Sequence, residues 1–180
     1  AWLLSPRLFR RPELFSRSAN IPAGVVMGLS ELLVPGNVFP ALNATSKKQV
    51  LQELAKRAAG ATGLDERKIF DVLLERERLG TTGVGSGTAI PHGRLDGLNQ
   101  LYGFFARIDV PVDFDAIDSA PVDLVFLLLA PTRAGADHLK ALAQISRLLR
   151  DRIMCDKLRG SNTADALYAL LTESATPRAA

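Results

Sequence analysis

Cysteine is almost absent from this 180-residue sequence, in which Cys155 is the only example. A single thiol excludes an intramolecular disulfide, and it excludes a metal site built on several cysteines. Histidine is nearly as scarce, since His92 and His138 are the only two. Two imidazoles without further spaced ligands are a poor basis for structural zinc. We therefore expect a protein of the reducing cytoplasm that binds no metal.

Long apolar runs are also missing, although 47% of the residues are hydrophobic. No stretch approaches the roughly 18 consecutive apolar residues that a membrane-spanning helix needs. An apolar segment followed by a small-residue cleavage site, which a secretion signal would require, is not found either. The apolar residues suffice to bury the core of one domain. We expect that domain to be cytoplasmic and not inserted in a membrane.

Net charge is small, and it is confined to the first 26 residues. The formal charge of +3 arises there, from one glutamate and four arginines: Glu13, Arg7, Arg10, Arg11 and Arg17. The remaining chain has as many acidic as basic residues, so it lacks the basic field that binds nucleic acid, and we expect no nucleic-acid partner. We expect residues 1–26 to be a dispensable N-terminal extension that is non-native, amphipathic or disordered, and residues 27–180 to form the domain.

The domain begins with the pattern of an edge strand and a helix. Residues 38–42 are apolar but contain Pro40, which is typical of a strand at the edge of a sheet. Ser46 and Gln49 have the spacing of a capping box, which predicts a helix that begins there. Apolar residues then recur at helical spacing, and we expect this helix to end at Gly60.

A second helix and a long loop follow. Asp65 is the predicted N-cap, and Gly80 is the predicted end. The expected apolar face consists of Ile69, Phe70, Leu73 and Leu74, and the expected solvent face of Glu75, Glu77 and Arg78. Residues 80–97 are rich in Gly, Thr and Ser, which predicts loop structure with short extended pieces.

The second half of the domain alternates between strand and helix patterns. Residues 102–108 and 122–129 are rich in β-forming side chains, and the second run is apolar enough for a central strand covered on both faces. A helix is predicted from about Asp137, with an apolar stripe of Leu139, Leu142, Ile145, Leu148 and Leu149. Asn162 is the predicted cap of a last helix. The alternation predicts a single layered α/β domain with helices packed on a buried sheet.

His92 is the residue best suited to carry chemistry. It follows Pro91 and precedes Gly93 in a segment that also contains Gly87. Neutral imidazole is nucleophilic near pH 7, the proline restrains the chain, and glycines leave room for a partner's phosphorylated group. On these residues alone, a loop histidine that only forms local hydrogen bonds is the alternative.

Three further groups of residues fit the requirements of phosphoryl transfer. Residues 80–87 offer backbone amides and hydroxyls of the kind that surround phosphate, but they match no nucleotide-binding motif. Arg76 could neutralise phosphoryl oxygens, and His138 could orient the reacting groups. The sequence does not show whether these residues meet His92.

Four segments resemble the fructose/mannitol-type enzyme IIA domains of the bacterial phosphoenolpyruvate phosphotransferase system. They are LLERERLGTTG at 73–83, GTAIPHG at 87–93, FDAIDSAPVDLVF at 114–126 and HLKALAQISRLL at 138–149. The resemblance extends from about residue 27 to residue 172, and it is strongest to the nitrogen-regulatory branch. It implies a mixed sheet flanked by helices and a phosphotransferase that uses no cofactor.

The resemblance also implies roles for particular residues and partners. His92 corresponds to the phosphorylated histidine, Arg76 to the arginine of the helix before the loop, and His138 to the second histidine of the site. We expect the phosphoryl loop to involve Thr82, Gly83, Ser86, Gly87 and Gly93. The implied donor is a histidine phosphocarrier protein, and the implied targets are regulatory proteins that respond to nitrogen, carbon or potassium status.

Two other functions remain open at this point. One is a sugar-specific IIA subunit that donates phosphate to a separate IIB protein. The other is a regulatory binding module whose histidine is not phosphorylated. Cys155 lies inside the IIA-like region, so we expect an ordinary buried or half-buried thiol and not a IIB phosphorylation site.

Overall fold

The computed structural model describes residues 28–173, and its sheet is built around one central strand, β6 (Val122–Pro131). Strand β5 (Tyr102–Val112) lies antiparallel to β6 on one side. On the other side β6 pairs in parallel with β3 (Thr88–Ala89) and β4 (His92–Leu95). The remaining strands are β1 (Val38–Leu42), parallel to β5 at one edge, and β2 (Gly83–Gly85), antiparallel to β3. The predicted mixed sheet and central strand are confirmed.

Both faces of β6 are buried, because helices cover the sheet on each side. Val125, Leu127 and Leu129 pack toward α2 (Lys47–Thr62) and α3 (Glu66–Arg78). The alternate residues pack toward a second layer, which consists of α1 (Leu29–Leu32), α4 (Gly135–Arg150), α5 (Arg152–Arg159) and α6 (Ala164–Glu173). A short 3₁₀ helix at Pro35–Asn37 precedes β1. The predicted layered α/β domain is therefore confirmed.

Helix α2 begins where the capping pattern predicts but ends later. The Ser46 hydroxyl accepts a hydrogen bond from the Gln49 amide at 3.2 Å. The predicted end at Gly60 is wrong, because Gly60 lies within the helix. The helix stops before Gly63, whose φ of 74° is in the left-handed region that glycine adopts without strain.

Helix α3 begins at the predicted cap, but one of its predicted solvent-facing residues is buried. The Asp65 carboxylate accepts the Lys68 amide at 2.8 Å. Glu77 is only 6% exposed, so its predicted contact with water is wrong. The physical reason is that Lys47 and Thr82 bind both oxygens of its carboxylate in the interior. Helical periodicity could not reveal these partners.

The last three helices also differ in detail from the prediction. Helix α4 begins two residues before the predicted Asp137, and Leu139, placed in its predicted apolar stripe, is 65% exposed. Asn162 does not cap α6, since the Thr163 hydroxyl accepts the Ala166 amide at 3.2 Å. The Asn162 side chain instead accepts a hydrogen bond from Arg107. Helix α5 was not predicted, because at eight residues it is too short for a clear periodic signal.

The expectations for residues 1–26 lie outside the part of the chain that the structure describes. Among the helices of residues 28–173, none has the length and hydropathy to cross a membrane.

Candidate active site

His92 is the first residue of β4, so the predicted loop position is corrected to the start of a short strand. Its backbone is paired with that of Leu128 in the central strand, and this pairing fixes its position. Because side chains alternate along a strand, His92 and Arg94 share one face, while Gly93 and Leu95 point to the other. Leu95 packs in the cluster under α2 and α3. The face with His92 and Arg94 is therefore the one that meets α4.

Two hydrogen bonds define the state of the His92 ring. The Arg76 Nε is 3.1 Å from His92 Nε2, and the His92 Nδ1 is 2.8 Å from the Ile90 carbonyl oxygen. A guanidinium can only donate, so Nε2 accepts, and the ring proton is on Nδ1, which donates to Ile90. Burial lowers the pKa of His92 from its usual 6.5, and the charges of Arg76 and Arg94 act in the same direction. The ring is therefore neutral at pH 7.

His138, near the start of α4, lies beside His92 with ring centroids 5.6 Å apart. The Arg94 Nε donates to His138 Nδ1 at 3.1 Å, which leaves the ring proton on Nε2. This Nε2 is buried and has no hydrogen-bond partner within residues 28–173. Burial, followed by the charges of His92 and Arg94, lowers the pKa of His138 to about 4. A buried donor without an acceptor is costly unless a ligand supplies one.

Gly93 lets β4 approach α3 closely enough for Arg76 to reach His92. A Cβ at Gly93 would lie 2.6 Å from the Cγ1 of Val72, which is far inside normal contact distance. Val72 and Arg76 are four residues apart and so lie on the same face of α3. Arg76 also donates from Nη1 to the Gly80 carbonyl at 3.0 Å, where it helps to close the end of the helix. Its guanidinium is thus held at the edge of β4.

These residues surround a cleft of about 620 Å³. Its polar lining consists of Glu75, Arg76, Arg78, His92, Arg94 and His138, and its other walls include Val72, Leu79 and Gly93. Three guanidinium groups against one carboxylate favour an anion, such as a phosphoryl group, at the neutral imidazoles. Within residues 28–173 there is no group of three or more His, Cys, Asp or Glu side chains that could hold a metal ion.

Four predicted phosphoryl-loop residues lie away from the walls of this cleft. Thr82 is buried against Glu77, and a Cβ at Gly83 would meet Ala116 at 2.9 Å. The Ser86 amide donates to Asp118 at 2.8 Å, and a Cβ at Gly87 would lie 2.5 Å from Arg159 Nη2. Of the predicted site, the structure brings together His92, His138, Arg76 and Gly93. The phosphoryl contact of the other four residues stays a prediction.

Sequence reasoning missed three polar residues that line the cleft, Glu75, Arg78 and Arg94, and it missed the burial of Glu77. Arg94 binds His138 and lines the cleft. Its position two residues after His92, on the same strand face, could have indicated it. Glu77 lies beneath the loop, and no local pattern distinguishes it from the exposed Glu75.

The comparisons with known proteins identify the family of the chain. A family model for the phosphoenolpyruvate-dependent sugar phosphotransferase system, EIIA 2, matches residues 31–174. The chain therefore belongs to this family of phosphotransferase-system IIA domains.

Within the family, the chain is similar to the nitrogen-regulatory type. A nitrogen regulatory protein of Bradyrhizobium diazoefficiens is 59% identical over 145 residues, which cover 81% of this chain and 95% of the relative. The nitrogen regulatory protein IIA-Ntr of Neisseria meningitidis has a crystal structure with a TM-score of 0.77 at 35% identity, covering 80% of this chain and 99% of that one. A fructose-specific EIIA component of Haloferax volcanii is 36% identical over 71% of this chain and 84% of its own length.

Proposed function

We propose that the chain is a regulatory phosphocarrier, in which His92 accepts a phosphoryl group from a histidine-phosphorylated carrier protein. The observation that carries this proposal is the state of the His92 ring. Its Nδ1 proton is engaged by the Ile90 carbonyl, while Nε2 faces a cleft with three guanidinium groups. The Nε2 lone pair is therefore the nucleophile.

The transfer step follows from this arrangement. Arg76 first releases Nε2, whose lone pair then attacks the phosphorus of the donor phosphohistidine. A bond from Nε2 to phosphorus forms as the donor's nitrogen–phosphorus bond breaks, and the bonding pair returns to the donor ring. The Nδ1 proton of His92 stays in place, because its hydrogen bond to Ile90 stabilises the positive charge that develops on the ring.

The neighbouring side chains then hold the product. The freed Arg76 guanidinium can donate to the phosphoryl oxygens, which carry the negative charge. The unpaired Nε2–H of His138 would find its missing acceptor on a phosphoryl oxygen. His138 therefore orients the phosphoryl group and takes no part in bond formation.

The regulatory assignment is the finer part of the proposal. Its support is the 59% identity to a nitrogen regulatory protein, against 36% to a fructose-specific component. In this role the phosphorylation state signals nitrogen, carbon or potassium status by changing which target proteins bind. The sugar-specific alternative requires a separate IIB protein that accepts the phosphoryl group from His92.

Incubation with phosphoenolpyruvate, enzyme I and the phosphocarrier, followed by intact mass at alkaline pH, tests the proposal. We expect one added phosphoryl group on the unchanged protein and none on His92→Asn. His138→Asn is the matched control, which should still be labelled but more slowly. Labelling of His92→Asn would refute the assignment of the acceptor, and an unlabelled wild-type chain would favour a non-phosphorylated binding module. Loss of the label to an added IIB protein would favour the sugar-specific alternative.

A further inference from the structure

Glu77 is a buried carboxylate that the phosphoryl-transfer step above does not use. Its side chain is only 3% exposed. The Thr82 amide donates to its Oε1 at 2.9 Å, and the Thr82 hydroxyl donates to its Oε2 at 2.6 Å. Lys47 lies 3.3 Å from Oε1, so the buried charge has a cationic partner. Glu77 thus binds Thr82 at two points.

This contact is linked to the nucleophile by two further hydrogen bonds. The Thr82 carbonyl accepts the Ile90 amide at 2.9 Å. The Ile90 carbonyl in turn accepts the Nδ1 proton of His92 at 2.8 Å. Movement of Thr82 would therefore move Ile90, and movement of Ile90 would release the proton that fixes the ring.

We infer that Glu77 is a positioning residue that holds His92 in the tautomer with a free Nε2. This role rests on the proposed function, since it is useful only if Nε2 is the nucleophile. Neutral imidazole can carry its proton on either nitrogen, and the hydrogen bond at one nitrogen decides which. A ring with its proton on Nε2 has no lone pair there to attack phosphorus. Glu77 acts on the reaction through Thr82 and Ile90 and does not touch the phosphoryl group.

The competing explanation is that the tautomer is held without Glu77, by the Arg76 hydrogen bond to Nε2 and by the sheet. The Pro91 carbonyl accepts the Leu128 amide at 3.0 Å, which anchors the same segment to β6. That bond fixes the peptide between Pro91 and His92, whereas the Ile90 amide is held by the Thr82 carbonyl. The two explanations differ in what the loss of Glu77 does to the His92 ring.

The test measures the ¹⁵N chemical shifts of the His92 imidazole at pH 7 in Glu77→Ala, Glu77→Gln and Thr82→Val. In the wild type, we expect Nδ1 to have the shift of a protonated nitrogen and Nε2 that of an unprotonated one. In Glu77→Ala, the two shifts should move toward each other, and phosphoryl acceptance should fall about tenfold or more. Glu77→Gln should restore both the shifts and the rate of phosphoryl acceptance. Its side-chain oxygen can accept from the Thr82 amide, and its NH2 group can donate to the Thr82 hydroxyl. Glu66→Ala, at an exposed glutamate of the same helix, is the control and should match the wild type.

A folded Glu77→Ala with wild-type shifts would overturn the inference and leave the tautomer to Arg76 and the sheet. If Glu77→Ala does not fold, Thr82→Val tests the inference instead, because this variant removes only the hydrogen bond between the Thr82 hydroxyl and Glu77. Its shifts should move in the same direction by a smaller amount, and unchanged shifts would overturn the inference. The tautomer measurement needs no donor protein. A failure of phosphorylation in the wild type would therefore count against the proposed function and not against the role of Glu77.

Discussion

Burial and two arginines act together on the imidazoles of the cleft. Each histidine accepts a hydrogen bond from a guanidinium, His92 from Arg76 and His138 from Arg94. A nitrogen that accepts from a guanidinium cannot also hold a proton, and a positive neighbour disfavours a second positive charge. Both effects, added to burial, favour the neutral rings that phosphoryl acceptance requires.

Both histidines should titrate below the usual histidine pKa of 6.5, and His138 should do so near pH 4. Between these pH values the unfolded chain takes up a proton at His138 that the folded chain does not. The free energy of unfolding should therefore fall as pH falls through this window, by up to about 3 kcal/mol from His138. Ring NMR signals measured against pH report the pKa values, and His92→Gln and His138→Gln assign them.

Comparison of urea unfolding at pH 7 and pH 5 separates His138 from the titrating carboxylates. The wild type should lose more stability over this interval than His138→Gln. Equal losses, or a His138 midpoint at or above 6.5, would contradict the prediction.

The contact between α3 and β4 is the element-scale feature that assembles the cleft. Strand β4 supplies His92, and helix α3 supplies Arg76. Their separation is set at Gly93, where any side chain would meet Val72. The position of a whole helix therefore decides the length of one hydrogen bond in the site.

Gly93→Ala should destabilise the fold by about 1–3 kcal/mol and slow phosphoryl acceptance, because it forces α3 and Arg76 away from β4. Urea unfolding and the phosphorylation rate measure the two effects. A Gly93→Ala, Val72→Ala double variant should recover much of both, since it removes the clashing methyl groups. The control is Gly60→Ala within α2, where no atom apart from the neighbouring backbone of the helix itself lies within 4 Å of the added Cβ. It should raise stability by about 0.5–1 kcal/mol. A Gly93→Ala variant with the stability and phosphorylation rate of the wild type would contradict the prediction that Gly93 sets the separation of α3 and β4.

At the scale of the whole molecule, the site lies on β4, which pairs with the buried central strand β6. The central strand is buried on both faces, and its contacts hold β4 in register. A phosphoryl group adds a charge of roughly −1.5 to −2 near pH 7, by analogy with phosphorylated hydroxyls. The cleft already has guanidinium groups that can balance this charge, so the layers have no reason to rearrange.

Phosphorylation should therefore change partner binding through local charge and not through refolding. Amide exchange should change only around His92, Ile90 and the end of α3, while β5 and β6 keep their protection. A partner that docks over the cleft has to desolvate this charge and should lose affinity, since leaving a buried charge unpaired costs on the order of 3–5 kcal/mol. His92→Asn in the same phosphorylation mixture is the control. Exchange throughout the core, or equal affinity of both forms for a target, would contradict the prediction.

Local patterns in the sequence determined the fold class and the identity of the acceptor candidate. Apolar periodicity and capping residues are short-range signals, so they predicted the sheet, its central strand and the starts of α2 and α3. His92 was indicated because histidine is rare in this sequence and because this histidine lies between a proline and a glycine. Both kinds of signal need only a few neighbouring residues.

Only the tertiary structure decided the state and the surroundings of that histidine. The pairing of Arg94 with His138 joins residues 44 positions apart, and that of Lys47 with Glu77 joins residues 30 positions apart. Such contacts depend on how the layers pack, because a polar side chain at a helical position can face water or a partner from another layer. The burial of Glu77, the tautomer of His92 and the unpaired Nε2 of His138 all arise from that packing, which no local spacing encodes.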